Sequence, residues 1–181
     1  MSRERETVLL RRPVQVECIP DGTPLELPEG TWGQVTQALG SSFTLVVDGQ
    51  LVRLKGSDAD AIGREIPVGP VVPAVVNLED VRGLVWQTLK TCYDPEIPVD
   101  IVELGLIYVC DVIPTEDGQA NVSIKMTLTA PGCGMGEVLA EEVADKVLAL
   151  PLVAEVNVDF VFDPPWDRSR MSEAAQLTLG L

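Results

Sequence analysis

Between Glu65 and Asn77 the sequence reads EIPVGPVVPAVVN, with Pro67, Pro70 and Pro73 at every third position. Each proline fixes φ and removes a backbone donor, so neither a helix nor a central strand can run through the segment. An extended, semi-rigid connector is expected instead. The stretch therefore divides the chain into a small β-rich unit over residues 1–63, a Pro-rich linker over 64–76 and a second unit over 77–181. Charge divides unevenly with it. Seven Lys/Arg face ten Asp/Glu up to residue 75, and six face eighteen beyond it.

Before the linker, TWGQVTQAL and SFTLVV read as short strands. VVDGQLVRL is a hairpin signal, because Asp48-Gly49 suits a type I′ turn between apolar flanks. PDGTPLELPEG reads as turn-rich.

After the linker, Asn77 is a candidate N-cap with Glu79 and Asp80 in the first helical turn. Val81, Leu84, Val85, Leu89 and Cys92 recur at helical spacing and define a core face. YDPEIPVD ends that helix. LGLIYVCDVI reads as a continuous apolar strand, TEDGQ as a turn, and NVSIKMTLT as an alternating strand. In the last, Val122, Ile124, Met126 and Leu128 take the core side, and Ser123, Lys125, Thr127 and Thr129 the other. A helix follows APGCG, with Met135, Val138, Leu139, Val143 and Val147 inward and Glu137, Glu141, Glu142 and Asp145 outward. EVNVDFVF gives a third strand with Val156, Val158, Phe160 and Phe162 on its core face. DPPWDRSR reads as a loop and MSEAAQLTLGL as a short closing helix. The expected class is α/β (α+β): helix, strand, strand, helix, strand, with helices on one face of a mixed three-stranded sheet. A right-handed crossover would make the second and third strands parallel.

A net charge of −15 repels phosphate backbones and anionic membrane faces, which argues against nucleic-acid and membrane partners. No apolar run approaches the roughly 20 residues of a membrane span. MSRERETVLLRR lacks a signal-peptide apolar core. A cytoplasmic location is expected. The four cysteines, Cys18, Cys92, Cys110 and Cys133, form no CxxC and are expected as free thiols. Histidine is absent altogether. That removes Ser–His and Cys–His nucleophile pairs, His-ligated zinc and imidazole acid–base work.

Cys133 has the most distinctive setting of the four. Gly132 and Gly134 clear bulk on either side, Pro131 fixes the entry, and a helix start favours a thiolate. Glu137, one turn on, opposes that charge. The competing reading is a small inert residue in a cramped turn. Thr127 and Thr129 lead towards this turn, as hydrogen-bonding hydroxyls or as ordinary strand residues. Asp94 and Glu96 are carboxylates in a proline-locked loop, as hard ligands, as partners for a cationic surface or as plain turn residues. Trp166 in DPPW is either an exposed anchor or a lid over the sheet end. Cys92 and Cys110 fall on core positions. APGCGMGEV lacks the Lys-Ser/Thr ending of a phosphate loop.

Taken together, YDPEIPVDIVELGLIYVCDV, VSIKMTLTAPGCGMGEVLAEEV and VFDPPWDRSRMSEAA resemble the SufT-like domain of an iron–sulfur cluster assembly family. That family includes PaaD-like proteins and eukaryotic cytosolic iron–sulfur assembly components. The resemblance spans roughly residues 77 to 181, and the first unit resembles the extension of longer SufT proteins. Family motifs fall on Asp94, Pro95 and Glu96, on Thr127 and Thr129, and on Pro131, Gly132 and Cys133. Gly134 stands where relatives often carry proline.

The resemblance implies a non-enzymatic role in iron–sulfur protein maturation, with Cys133 as the metal ligand and the other motif residues binding cluster or client. It implies scaffold or carrier proteins and client apoproteins as partners. Clusters need about four ligands, mostly thiolates. One cysteine per chain therefore implies a cluster shared across a homodimer, a transiently held cluster completed by a partner, or an adaptor that never holds iron. No cofactor is needed for folding in this reading. A thiol-dependent redox enzyme and a structural subunit of an oxygenase-type assembly are the alternatives.

Overall fold

The computed structural model describes residues 6–74, 76–94, 97–132 and 134–181. Two compact units divide the chain, one chiefly of residues up to 69 and the other chiefly of residues from 70 onward.

Six strands build the first unit: β1 Glu6–Leu9, β2 Val14–Cys18, β3 Pro24–Leu27, β4 Trp32–Leu39, β5 Ser42–Val47 and β6 Gln50–Lys55. They form one antiparallel sheet in the order β1-β4-β5-β6-β2-β3. The β5–β6 hairpin turns through Asp48 at φ +49° and Gly49 at φ +83°, the two positive angles a type I′ turn requires. β3 lies inside the segment expected to be turn-rich. A 3-10 helix, Gly56–Ile62, closes the core formed by residues such as Val16, Leu45, Val52, Leu54 and Ala59. Arg53 is buried in this unit and donates to Glu17 Oε2 at 2.9 Å, so its charge is balanced inside the protein.

The second unit follows the expected order. It comprises α1 Leu78–Leu89, β7 Ile107–Pro114, β8 Ala120–Met126, α2 Met135–Leu148, β9 Val153–Phe160 and α3 Glu173–Leu179. α1 starts in a capping box. Asn77 Oδ1 accepts the Glu79 and Asp80 N–H groups at 2.9 and 3.0 Å, and the Asn77 N–H donates to Asp80 Oδ2 at 3.0 Å. β7 and β8 pair antiparallel, β8 and β9 parallel, in the order β7-β8-β9. The core holds Val81, Leu84, Val85, Leu89 and Cys92 against Cys110, Val122, Ile124 and Met126, with Met135, Leu139, Val143 and Val147 from α2. Among the described residues, no helix is long and apolar enough to cross a membrane.

Tertiary context overrides the sequence pattern at four places. β8 ends at Met126, so Thr127 is not on a solvated strand face but buried at 1% exposure. β9 is an edge strand. Val156, Val158 and Phe160 are therefore only half-buried, and Phe162 lies past the strand end, exposed and stacked on Phe160 at 6.2 Å. β7 is the other edge, which leaves Val109 and Ile113 exposed in a run that reads as continuously apolar. Glu142 is turned from solvent and paired with Lys146 at 2.8 Å.

Candidate functional site

Three backbone hydrogen bonds connect Cys92, Ile101, Leu106 and Thr127 in series. The Ile101 N–H donates to the Cys92 carbonyl at 2.9 Å, the Leu106 N–H to the Ile101 carbonyl at 3.0 Å, and the Thr127 N–H to the Leu106 carbonyl at 2.8 Å. A bridge between Tyr93 and Asp100 closes the intervening loop at its neck. Asp94, next to that neck, is buried. The loop that carries it is thus tied to the chain leaving β8.

That exit chain is fixed from above as well. A Cβ on Gly136, in the first turn of α2, would stand 2.6 Å from Leu128 Cδ1. The helix start therefore packs directly against the Leu128 side chain. Thr129 is half-buried, while Pro131 and Gly132 are exposed. Gly132 has φ +81° with open space around it, a conformation glycine adopts without penalty. Gly134 takes the N-cap position of α2 and offers no side-chain cap, and Glu137 is the acidic residue of the first turn. Cys133 and Glu96 lie outside the described residues, so the ligand role expected of Cys133 rests on its sequence setting.

Asp100 organises the loop, although the sequence reading passed it over. Its Oδ1 accepts the Val102 and Glu103 N–H groups at 3.0 and 2.9 Å. An Asp followed by free amides two and three residues on is the local signal for such a turn. Burial raises the Asp100 carboxyl above its ordinary range, and the two backbone donors partly oppose this. Burial also raises the Tyr93 phenol, with the Asp100 charge adding to the effect.

The remaining thiols are structural. Cys18, Cys92 and Cys110 are buried and free. Burial pushes the Cys92 thiol up to about 12, although the Lys146 charge works in the opposite direction. Burial raises the Cys110 thiol too. A protonated thiol is a poor nucleophile and a poor metal ligand. Trp166 is half-buried, and its indole N–H donates to the Leu104 carbonyl at 2.8 Å, which ties it to the protein's own backbone. Among the described residues, no three His, Cys, Asp or Glu side chains are grouped to hold a metal ion.

A family model described as an iron–sulfur cluster assembly protein matches residues 83–159. An Fe-S protein maturation auxiliary factor of Porphyromonas gingivalis is 45% identical over 92 residues, 51% of this chain and 84% of that protein. The Fe-S protein maturation auxiliary factor YitW of Bacillus subtilis is 39% identical over 103 residues, 57% of this chain and 97% of that protein. The corresponding factor SufT of Staphylococcus aureus is 36% identical over 88 residues, 49% of this chain and 96% of that protein. The matches cover 84% to 97% of these relatives, and the family model's match lies in the unit that carries Asp94 and the Thr127–Gly132 segment. The chain belongs to the iron–sulfur cluster assembly protein family.

Proposed function

We propose that the chain is a non-enzymatic factor in the maturation of iron–sulfur proteins, acting in the cytoplasm through Cys133. The reading is carried by one observation: backbone bonds tie the Asp94 loop to Thr127, directly beneath the start of α2. The turn that leads into α2 contains Cys133, and a helix start favours thiolate over thiol.

The cluster is cargo in this account. A single thiolate supplies one of the roughly four ligands a cluster requires. The remaining ligands come from a carrier, a client or a second copy of the chain. Incomplete ligation suits transfer, because a partner that offers more thiolates draws the cluster away. Half-buried Thr129 and exposed Pro131 and Gly132 front the approach of the client, buried Asp94 and Thr127 support it from behind, and Glu96 is assigned to the client by its place in the sequence. Scaffold or carrier proteins and client apoproteins are the partners.

Anaerobic incubation with iron and sulfide tests the transfer step, read by visible absorption for the wild type and Cys133→Ala. Absorption in the wild type and its loss in the variant support transient ligation. Equal absorption in both rules out Cys133 as the ligand. Absorption in neither, with client activation intact in the wild type, reduces the role to client recruitment.

A further inference from the structure

A groove of about 560 Å³ opens in the second unit where the segment following β9 passes the first residues of β7. Tyr108, Val109, Lys125, Val161, Asp163 and Arg170 are among the residues lining it. The volume falls within the range of small-molecule sites.

The walls are held in place. The Tyr108 hydroxyl donates to the Pro164 carbonyl at 2.8 Å, and the Arg170 guanidinium lies over the Tyr108 ring at 4.5 Å. The Trp166 indole anchors the crossing segment to Leu104, and the Val161 N–H anchors it to the Met126 carbonyl at 2.8 Å. At Gly105 a Cβ would stand 2.2 Å from the Arg170 carbonyl oxygen, so the crossing is as close as glycine permits. Apart from the exposed Lys125 side chain, the groove is preformed and needs little ordering on binding.

Its charge runs against that of the chain. Beyond residue 75 acids outnumber cations three to one. In the groove two cations, Lys125 and Arg170, face one lining acid, Asp163. Asp167, near Arg170 and bonded to the Ser169 N–H at 2.7 Å, and Asp159, the β9 neighbour of Lys125, keep their charges but are not among the lining residues, so the cationic excess belongs to the lining itself. A guanidinium stacked on an aromatic ring still presents its N–H edge, which matches a carboxylate. Val109 and Val161 offer apolar surface beside it.

We propose that this groove binds a small monocarboxylate, its anionic head on Lys125 and Arg170 and its apolar body against Val109, Val161 and the Tyr108 ring. The site shares no lining residue with the Thr127–Gly132 segment and does not depend on the maturation role.

Sodium hexanoate titrated into the full-length isotope-labelled chain, followed by amide NMR, tests it. The expected result is saturable shifts centred on Tyr108, Lys125, Val161 and Arg170. Neutral 1-hexanol and inorganic phosphate should each bind roughly tenfold or more weakly, since each lacks one half of the recognition. Lys125→Ala and Arg170→Ala should each weaken hexanoate by a similar factor. Lys125 is exposed and makes no hydrogen bond or ion pair among the described residues, so Lys125→Ala decides the matter should Arg170→Ala fail to fold. Absence of saturable shifts, equal binding of hexanol or phosphate, or undiminished hexanoate binding by Lys125→Ala overturns the proposal.

Discussion

The Thr127 N–H donates to the Leu106 carbonyl at 2.8 Å, and through that bond the end of β8 is joined to the loop that carries Asp94. Both segments therefore depend on the short stretch between Asp100 and Leu106. Asp100 shapes that stretch by accepting two backbone N–H groups. Asp100→Ala removes the acceptor and should destabilise the second unit by about 1–2 kcal/mol. Asp100→Asn keeps an acceptor and relieves the buried charge, so at neutral pH it should match or exceed wild-type stability. Urea unfolding of the two variants gives the order.

Gly105 closes the same stretch at φ +71°, with the Arg170 carbonyl oxygen 2.2 Å from where a Cβ would lie. Gly105→Ala combines backbone strain with a clash against a main-chain atom, and should cost about 3 kcal/mol or more. Gly118 has φ +76° but open space around it. Gly118→Ala should cost only about 1–2 kcal/mol, from backbone conformation alone. Equal losses in the two variants would show that the close crossing at Arg170 carries no energy.

Lys146 joins α2 to the end of α1. Its ammonium donates to the Thr91 carbonyl at 3.0 Å, the Thr91 hydroxyl at 3.1 Å and Cys92 Sγ at 3.7 Å, and pairs with Glu142 at 2.8 Å. Lys146→Met leaves the half-buried Glu142 charge without this partner and should destabilise by roughly 2 kcal/mol or more. Glu142→Gln in the Lys146→Met background should recover part of that loss, and a double-mutant cycle by chemical denaturation measures it.

Cys92 makes stability fall at alkaline pH. Its folded value is raised from 9.0 to about 12 by burial, so the folded state holds the proton more tightly than the unfolded chain. Below pH 9 both states are protonated and the thiol contributes no slope. Between about 9 and 12 the unfolded chain alone loses its proton, and stability declines as pH rises. Urea midpoints across this window should fall more steeply for wild type than for Cys92→Ala. In the native state at pH 8, Cys92 and Cys110 should resist iodoacetamide, since both are buried and protonated.

Much of this architecture is legible in the sequence because its signals are local. Asn77 caps α1 through residues two and three positions on, Asp48-Gly49 sets its own turn, and the alternation of β8 needs only the period of a strand. What was not legible depends on partners far along the chain. Glu142 looks solvent-facing by helical periodicity, yet Lys146 and the end of α1 draw it inward. Phe162 continues the alternation of β9, but among the described residues no strand covers that edge. Thr127 reads as strand until the Leu106 carbonyl takes its N–H and buries it. The candidate site divides in the same way. The Pro131–Gly134 segment stands out by composition, whereas the link from Thr127 to Asp94 runs through Leu106, which carries no chemical signature of its own, and through Asp100, whose signal marks only its own turn. The groove at Tyr108 needs Arg170, from the far end of the unit, to be a site at all.

Client activation tests the central claim most directly. An apo client enzyme is incubated anaerobically with a cluster-loaded carrier and either wild type or Cys133→Ala, and its recovered activity is followed over time. The account predicts acceleration by the wild type and a fall to the carrier-only rate with Cys133→Ala. Acceleration by Cys133→Ala equal to that of the wild type would contradict it.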